Sequence, residues 1–178
     1  MRRVVLIGFM GAGKTTVGHA LARRLRWDFC DLDEVIEQRE DQSIAQIFAS
    51  HGEAGFRRVE AATLRHLLEQ NAAAGDLVLA LGGGAFVQPD NRAALQQAGA
   101  ITVLLEAPVA ELRRRCQSER QVRPLAQQEA RFAELFAARR EHYELAHLRV
   151  QTLHKTVDQV AAEIEQIVKQ AVKAEVEK

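Results

Sequence analysis

Lys14 and Thr15 close the run Gly8-Phe9-Met10-Gly11-Ala12-Gly13-Lys14-Thr15, which has the form G-x-x-x-x-G-K-T and follows directly on an apolar stretch. With a strand before it and a helix after it, such a run lets backbone N–H groups turn inward around phosphate oxygens, with no side chain in the way. The following helix points its positive end at the same anion. Lys14 would neutralise the β- and γ-phosphates, and the Thr15 hydroxyl would ligate Mg²⁺. The chemistry indicated is nucleotide binding. The motif leaves open which nucleotide is bound and whether the chain is an enzyme or a switch. The tetrapeptide N-K-x-D, with which guanine-specific switch proteins read the base, does not occur, and this favours adenine.

Three further groups could form an acceptor side. Asp31 and Asp33, in Asp31-Leu32-Asp33, stand where a second parallel strand should end, and ligands of open α/β sheets collect at the carboxyl ends of strands. In an extended segment both aspartates would turn to one side, and two like charges held close need a cation or hydrogen donors nearby. A plain helix N-cap would account for one of them only. Arg57 and Glu60 are three apart on a helix and share a face. That spacing fits a surface ion pair and equally an arginine held ready to receive a carboxylate through its planar fork. Gly82-Gly83-Gly84 follows the apolar run Leu77–Leu81, where three glycines permit close approach of a ligand to backbone N–H groups.

The elements that must position these residues alternate in the manner of an α/β protein with a parallel sheet. Strands are expected at Val4–Ile7, in a short segment ending near Cys30, and at Leu77–Leu81, Ile101–Leu105 and His147–Thr152. Helices are expected at Lys14–Leu25, Leu32–Arg39, Ser43–His51, Glu53–Gln70, Asn91–Ala98, Ala110–Arg115, Ala130–Leu145 and Val157–Val172. Pro89 and Pro108 fall at helix starts, where a missing N–H costs little. Gln117–Gln128 is polar, arginine-rich and poorly periodic, which fits a surface loop or a mobile lid; the charged end, Val172–Lys178, is expected to fray.

At 178 residues the chain reads as one domain, 1–178, with neither repeat nor linker. Lysine plus arginine equals aspartate plus glutamate, 24 of each, so no net charge draws it to nucleic acid or to an acidic membrane. No stretch reaches the length of a membrane span, and Val4–Ile7 is too short for a signal core, so the chain reads as complete and cytoplasmic. Cys30 and Cys116 have neither metal-ligand nor redox spacing, and the six histidines pair with no cysteine or acid at a metal spacing.

The ordered set resembles shikimate kinase from Arg3 to about Thr152. It comprises Gly8–Thr15, Asp31-Leu32-Asp33, Ser43-Ile44-Ala45-Gln46-Ile47-Phe48, Gly52-Glu53 with Phe56-Arg57 and Glu60, Gly82–Gly84, Arg123-Pro124-Leu125, and Arg139 four residues before Tyr143. The resemblance implies a P-loop three-layer α/β/α fold with a five-stranded parallel sheet and a mobile lid at about 117–128. It implies transfer of the ATP γ-phosphoryl group to the 3-hydroxyl of shikimate, with Mg²⁺ as cofactor; separately, the chain is expected to act as a monomer. Gly11, Ala12, Gly13, Lys14, Thr15 and Thr16 would hold the nucleotide, with Arg115 stacked on adenine and Arg123 swinging in to the transferring phosphate. Thr15 and Asp31 would hold the metal. Asp33 would bind the acceptor hydroxyls and orient or deprotonate the nucleophile. Arg57 and Arg139 would clamp the carboxylate, with Gly82, Gly83 and Gly84 along the ring. The chain departs from the family pattern at Asp41, at Leu125-Ala126 and at Glu141, and Arg140 stands beside Arg139. Readings from other classes are a gluconate or nucleotide kinase on the same scaffold, and a nucleotide-binding relative without catalysis.

Overall fold

The run Arg3–Ile7 is buried along its whole length, as a strand covered on both faces must be, and it forms the central strand β1 of the sheet. The computed structural model describes residues 2–70, 75–118 and 128–176. Strands β2 (Asp28–Asp31), β3 (Leu77–Ala80), β4 (Ile101–Glu106) and β5 (Leu148–Gln151) join β1 in the order β2-β3-β1-β4-β5, every pairing parallel. In this order the chain leaves β1 towards one edge, returns to set β3 beside it, and then crosses to the other side. The carboxyl end of β1 is therefore a switch point where loops diverge and leave a crevice. The register puts Leu6 of β1 and Asp31 of β2 both opposite Ala80 of β3. Gly8, Gly82 and the start of the segment after β2 thus come out at one level.

The helices are α1 (Lys14–Leu25), α2 (Leu32–Glu40), α3 (Ile44–Gln70), α4 (Pro89–Gln97), α5 (Val109–Ser118), α6 (Glu129–Tyr143) and α7 (Val157–Val176). The two helices expected on either side of Gly52 are present, α3 being interrupted there by a non-helical residue. Its start is a capping box: Gln46 Oε1 accepts from Ser43 N at 2.8 Å, and Ser43 Oγ accepts from Gln46 N at 3.3 Å. Asp41 ends α2 at φ 50, in the left-handed region that glycine favours and aspartate tolerates. That departure from the family pattern is a local matter of helix termination.

Two boundaries need correction. Helix α7 continues to Val176 instead of ending at Val172, because Ala, Glu, Lys and Val can extend it and no Gly or Pro stops it. Helix α5 runs to Ser118, three residues beyond Arg115. Arg123, Pro124, Leu125 and the rest of 119–127 lie outside the described residues. Among the described residues no helix is long and apolar enough to cross a membrane.

Helices α1 and α7 pack together and are joined by Arg24 Nε to Glu165 at 2.7 Å. Beneath the sheet's other end, buried Arg3 donates to the carbonyls of Leu68 at 2.8 Å and Ala98 at 2.9 Å. One guanidinium thereby satisfies carbonyls at the C-terminal ends of α3 and α4, where a cation is favoured.

Candidate active site

The loop between β1 and α1 wraps the N-terminus of α1. Gly13 caps that helix with φ 87, no side chain bonds its first-turn N–H groups, and its first turn holds no acid. An anion can therefore take those donors. Gly11 is required twice over: its φ is 78, and a Cβ there would lie 2.5 Å from the Leu112 carbonyl oxygen and 2.8 Å from Cys116 Sγ. Lys14 Nζ donates to the carbonyls of Gly8 at 3.0 Å and Phe9 at 3.1 Å, which keeps the ammonium at the loop.

Asp31 ends β2 and also caps α2, its Oδ1 accepting from Asp33 N at 3.0 Å. Its Oδ2 accepts from Thr15 Oγ1 at 2.7 Å. A hydroxyl and a carboxylate beside a phosphate loop are the hard oxygen donors that suit Mg²⁺, which shares its shell between one or two carboxylates and substrate phosphates. The chain is already helical at Leu32, so strand alternation is not what brings the two aspartates together. The turn into α2 does it, leaving Asp31 towards Thr15 and Asp33 towards the glycine triplet.

That triplet is the centre of the acceptor side. A Cβ on Gly82 would sit 2.6 Å from Asp33 Oδ1, one on Gly83 3.3 Å from Arg139 Nη1, and one on Gly84 2.8 Å from Arg57 Cζ. Each glycine makes room for one of the three polar side chains assigned to the acceptor. The same Gly83 position is 3.7 Å from Gly8 O and 3.8 Å from Met10 N, so the triplet abuts the phosphate loop. Gly84 has an ordinary φ of −104, so a methyl group there acts by displacing Arg57 and not through backbone strain. Gly84→Ala is expected to raise the acceptor KM by about 10–100-fold with the ATP KM unchanged, as steady-state kinetics would read. Equal changes in both would place Arg57 outside the acceptor pocket.

Arg57 Nη1 donates to both carboxylate oxygens of Glu60 at 2.9 Å, and Glu60 is only 1% exposed, so this is not the surface pair that the spacing also allowed. Burial raises the Glu60 carboxyl above its ordinary range, while Arg57 pulls it down. The folded protein therefore binds that proton more tightly than the unfolded chain. This group's contribution to stability is greatest below the ordinary glutamate range and is lost as pH rises through the raised value. A Glu60→Gln variant should show a flatter dependence of urea midpoint on pH just above that range; an unchanged slope would mean that Glu60 is not perturbed. Arg57 Nε is buried with no hydrogen-bond partner among the described residues.

Arg139 and Arg140 separate cleanly. Arg139 faces Gly83, whereas Arg140 pairs with Glu144 at 3.2 Å and lines a different cavity of about 280 Å³ behind Phe9 and Tyr143. Glu141 is exposed, and residues two apart on a helix do not share a face. It stands away from Arg139.

Arg115 lines a cavity of about 580 Å³ with Ala12, Gly13, Thr16, His154 and Lys155, adjoining the phosphate loop. Its guanidinium is held by Glu111 Oε1 at 2.8 Å, Thr152 Oγ1 at 3.0 Å and the Thr152 carbonyl at 3.2 Å. Hydrogen bonds from Arg114 and Arg115 hold the Glu111 carboxyl down at about 2, so this anchor stays charged. Sequence reasoning passed over Glu111 and Thr152; the four-residue spacing of Glu111 and Arg115 was the one available signal. Cys30, beside Asp31, has its thiol pushed up to about 11 by burial and then by Asp31 and Glu34, which leaves it protonated and unreactive at neutral pH.

A parallel sheet with a phosphate loop after its central strand, an aspartate–threonine pair beside it and a cationic pocket opposite defines a P-loop kinase. A gluconokinase from Sinorhizobium meliloti shares that fold at TM-score 0.67, with 16% identity over 99% of this chain and 97% of its own. The shikimate kinase family model matches residues 10–169. A shikimate kinase from Geobacter metallireducens is 42% identical over 92% of this chain and 90% of its own. The structure of shikimate kinase from Acinetobacter baumannii in complex with shikimate aligns at TM-score 0.85 and 36% identity, covering 96% of this chain and 94% of that one. The chain belongs to the shikimate kinase family.

Proposed function

We propose that the protein transfers the γ-phosphoryl group of ATP to the 3-hydroxyl of shikimate, giving shikimate 3-phosphate and ADP. The observation that carries this reading is the glycine triplet, which sets Asp33, Arg139 and Arg57 side by side against the phosphate loop. One carboxylate and two guanidiniums at that place match a compact hydroxylated acid: Arg57 and Arg139 take its carboxylate, and Asp33 takes its hydroxyls. Gluconate and nucleoside monophosphates also carry anionic groups that arginines can grip, so the choice of shikimate among them rests on the family to which the chain belongs.

In this assignment Gly11, Ala12, Gly13, Lys14, Thr15 and Thr16 hold the phosphates, and Arg115 stacks on adenine. Thr15 and Asp31 would hold Mg²⁺, which when bound neutralises charge between the β- and γ-phosphates. Asp33 orients the 3-hydroxyl and accepts its proton as the oxygen forms its bond to the γ-phosphorus. The bond from that phosphorus to the β–γ bridging oxygen breaks, and ADP leaves. Lys14 and, by the family resemblance, Arg123 cancel charge on the moving group. The same reading takes the enzyme as a cytoplasmic monomer of one domain, with no nucleic-acid or membrane partner.

A coupled ADP-release assay with Mg·ATP tests this, comparing shikimate with quinate, gluconate and nucleoside monophosphates. Selective stimulation by shikimate is expected. Stimulation by another acceptor would reassign the pocket, and ATP binding without stimulation by any of them would favour a non-catalytic binder.

A further inference from the structure

Helix α6 presents Phe132, Phe136, Arg139 and Tyr143 at steps of four, three and four, which is one helical face. Phe132 and Phe136 hold the ring of Phe9 edge-on at 5.0 and 5.4 Å, and Phe9 belongs to the phosphate loop. The Arg139 guanidinium lies over that same ring at 5.8 Å. Tyr143, one helical turn after Arg139, closes the arrangement: its hydroxyl donates to the carbonyl of Gly83, the same residue that Arg139 Nη1 faces. The residue is 3% exposed, so this hydroxyl has little access to water.

We propose that Tyr143 is a positioning residue for the acceptor pocket, fixing the Arg139 guanidinium against Gly83 through its hydroxyl while Phe9 supports the opposite side. This rests on the acceptor reading of Arg139 given above. A single arginine on a long flexible stem keeps many orientations, and a carboxylate clamp needs one. The phenol supplies that selection: it donates its only proton to a fixed backbone oxygen, so its lone pairs are left for Arg139. Burial pushes the Tyr143 hydroxyl up to about 12, so it keeps that proton, and the geometry with it, across the working range of pH. Tyr143 itself does not react. Its effect reaches the acceptor through Arg139.

The test is a double-mutant cycle read on the acceptor KM, with Tyr143→Phe, Arg139→Ala and the combined variant. Tyr143→Phe removes one oxygen and keeps the ring. It is expected to raise the acceptor KM about tenfold, the scale of a lost hydrogen bond to a charged group, with the ATP KM unchanged and kcat altered less than about threefold. In the Arg139→Ala background the same change should add nothing to the acceptor KM, because the group it positions is gone. KM does not depend on the folded fraction, so some loss of stability in Tyr143→Phe leaves the readout intact, and melting temperatures of all variants record that loss. Additive effects, or a Tyr143→Phe enzyme whose acceptor KM is unchanged, would overturn the proposal. An unchanged acceptor KM in Arg139→Ala alone would instead remove Arg139 from the acceptor pocket, a failure of the underlying assignment.

Discussion

Replacing Asp33 with asparagine is expected to lower kcat by about 10²- to 10⁴-fold, the range for removal of a positioned general base, with the ATP KM little changed. The carboxylate sits where Gly82 has no side chain, on the first turn of α2, and its backbone N–H is already tied to Asp31. Asparagine keeps the shape and one oxygen, so it still fits the space and can still meet a hydroxyl. It can no longer accept a proton. Asp31, which faces Thr15, remains in place, so the metal and nucleotide side should be spared. ATP binding by calorimetry alongside single-turnover kinetics separates these outcomes. Full turnover in Asp33→Asn would show that the acceptor oxygen needs no carboxylate, leaving Asp33 a role in packing alone.

Arg57→Ala is expected to raise the acceptor KM about 100-fold while changing the ATP KM far less. Truncating one member of a buried, hydrogen-bonded charge pair costs about 2–5 kcal/mol, and here it also removes the guanidinium that lies against Gly84. The complication is Glu60, 1% exposed and deprived of its partner. A buried carboxyl in that position takes up a proton sooner than stay charged, and breaking such a pair destabilises by about 3–5 kcal/mol. The double variant Arg57→Ala/Glu60→Gln removes that penalty. It should recover much of the melting temperature and still show the raised acceptor KM. If KM recovers together with stability, Arg57 supports the fold and does not grip the acceptor.

The ties between α6 and the rest of the pocket bear on how much a side chain's neighbours decide. Arg139 and Arg140 are identical in type and adjacent in sequence, yet one faces Gly83 and the other pairs with Glu144 on a different cavity. A turn of 100° per residue separates them, and the helix's rotation about its axis is set by Phe132 and Phe136 packing on Phe9. Local spacing cannot supply that rotation. Similarly, the Arg57–Glu60 spacing fitted a solvated pair and a buried clamp equally well, and only the burial of Glu60 distinguished them.

What the sequence determined by itself was the part encoded locally. The eight residues Gly8–Thr15 need only a strand before them and a helix after them to become a phosphate site, and Arg3–Ile7 with Lys14–Leu25 provide both. The alternation of apolar runs with amphipathic stretches made β1, β3 and β4 legible, because a strand buried on both faces has to be apolar along its length, whereas the edge strands β2 and β5 are only partly buried and carried a weaker signal. Ends were less legible: α7 continues to Val176 and α5 to Ser118, since helix formers past an expected end do not announce where the helix stops. Only the tertiary structure decided which side chains meet. Asp33, Arg139 and Arg57 are far apart in sequence and come together because β3 lies between β2 and β1, so that Gly82, Gly83 and Gly84 emerge beside Gly8. The supporting contacts of Tyr143, Glu111 and Thr152 were not legible in the sequence for the same reason, beyond the spacings of Tyr143 from Arg139 and of Glu111 from Arg115. Their partners are set by strand order and helix rotation, and both of these follow from the packing of the whole chain.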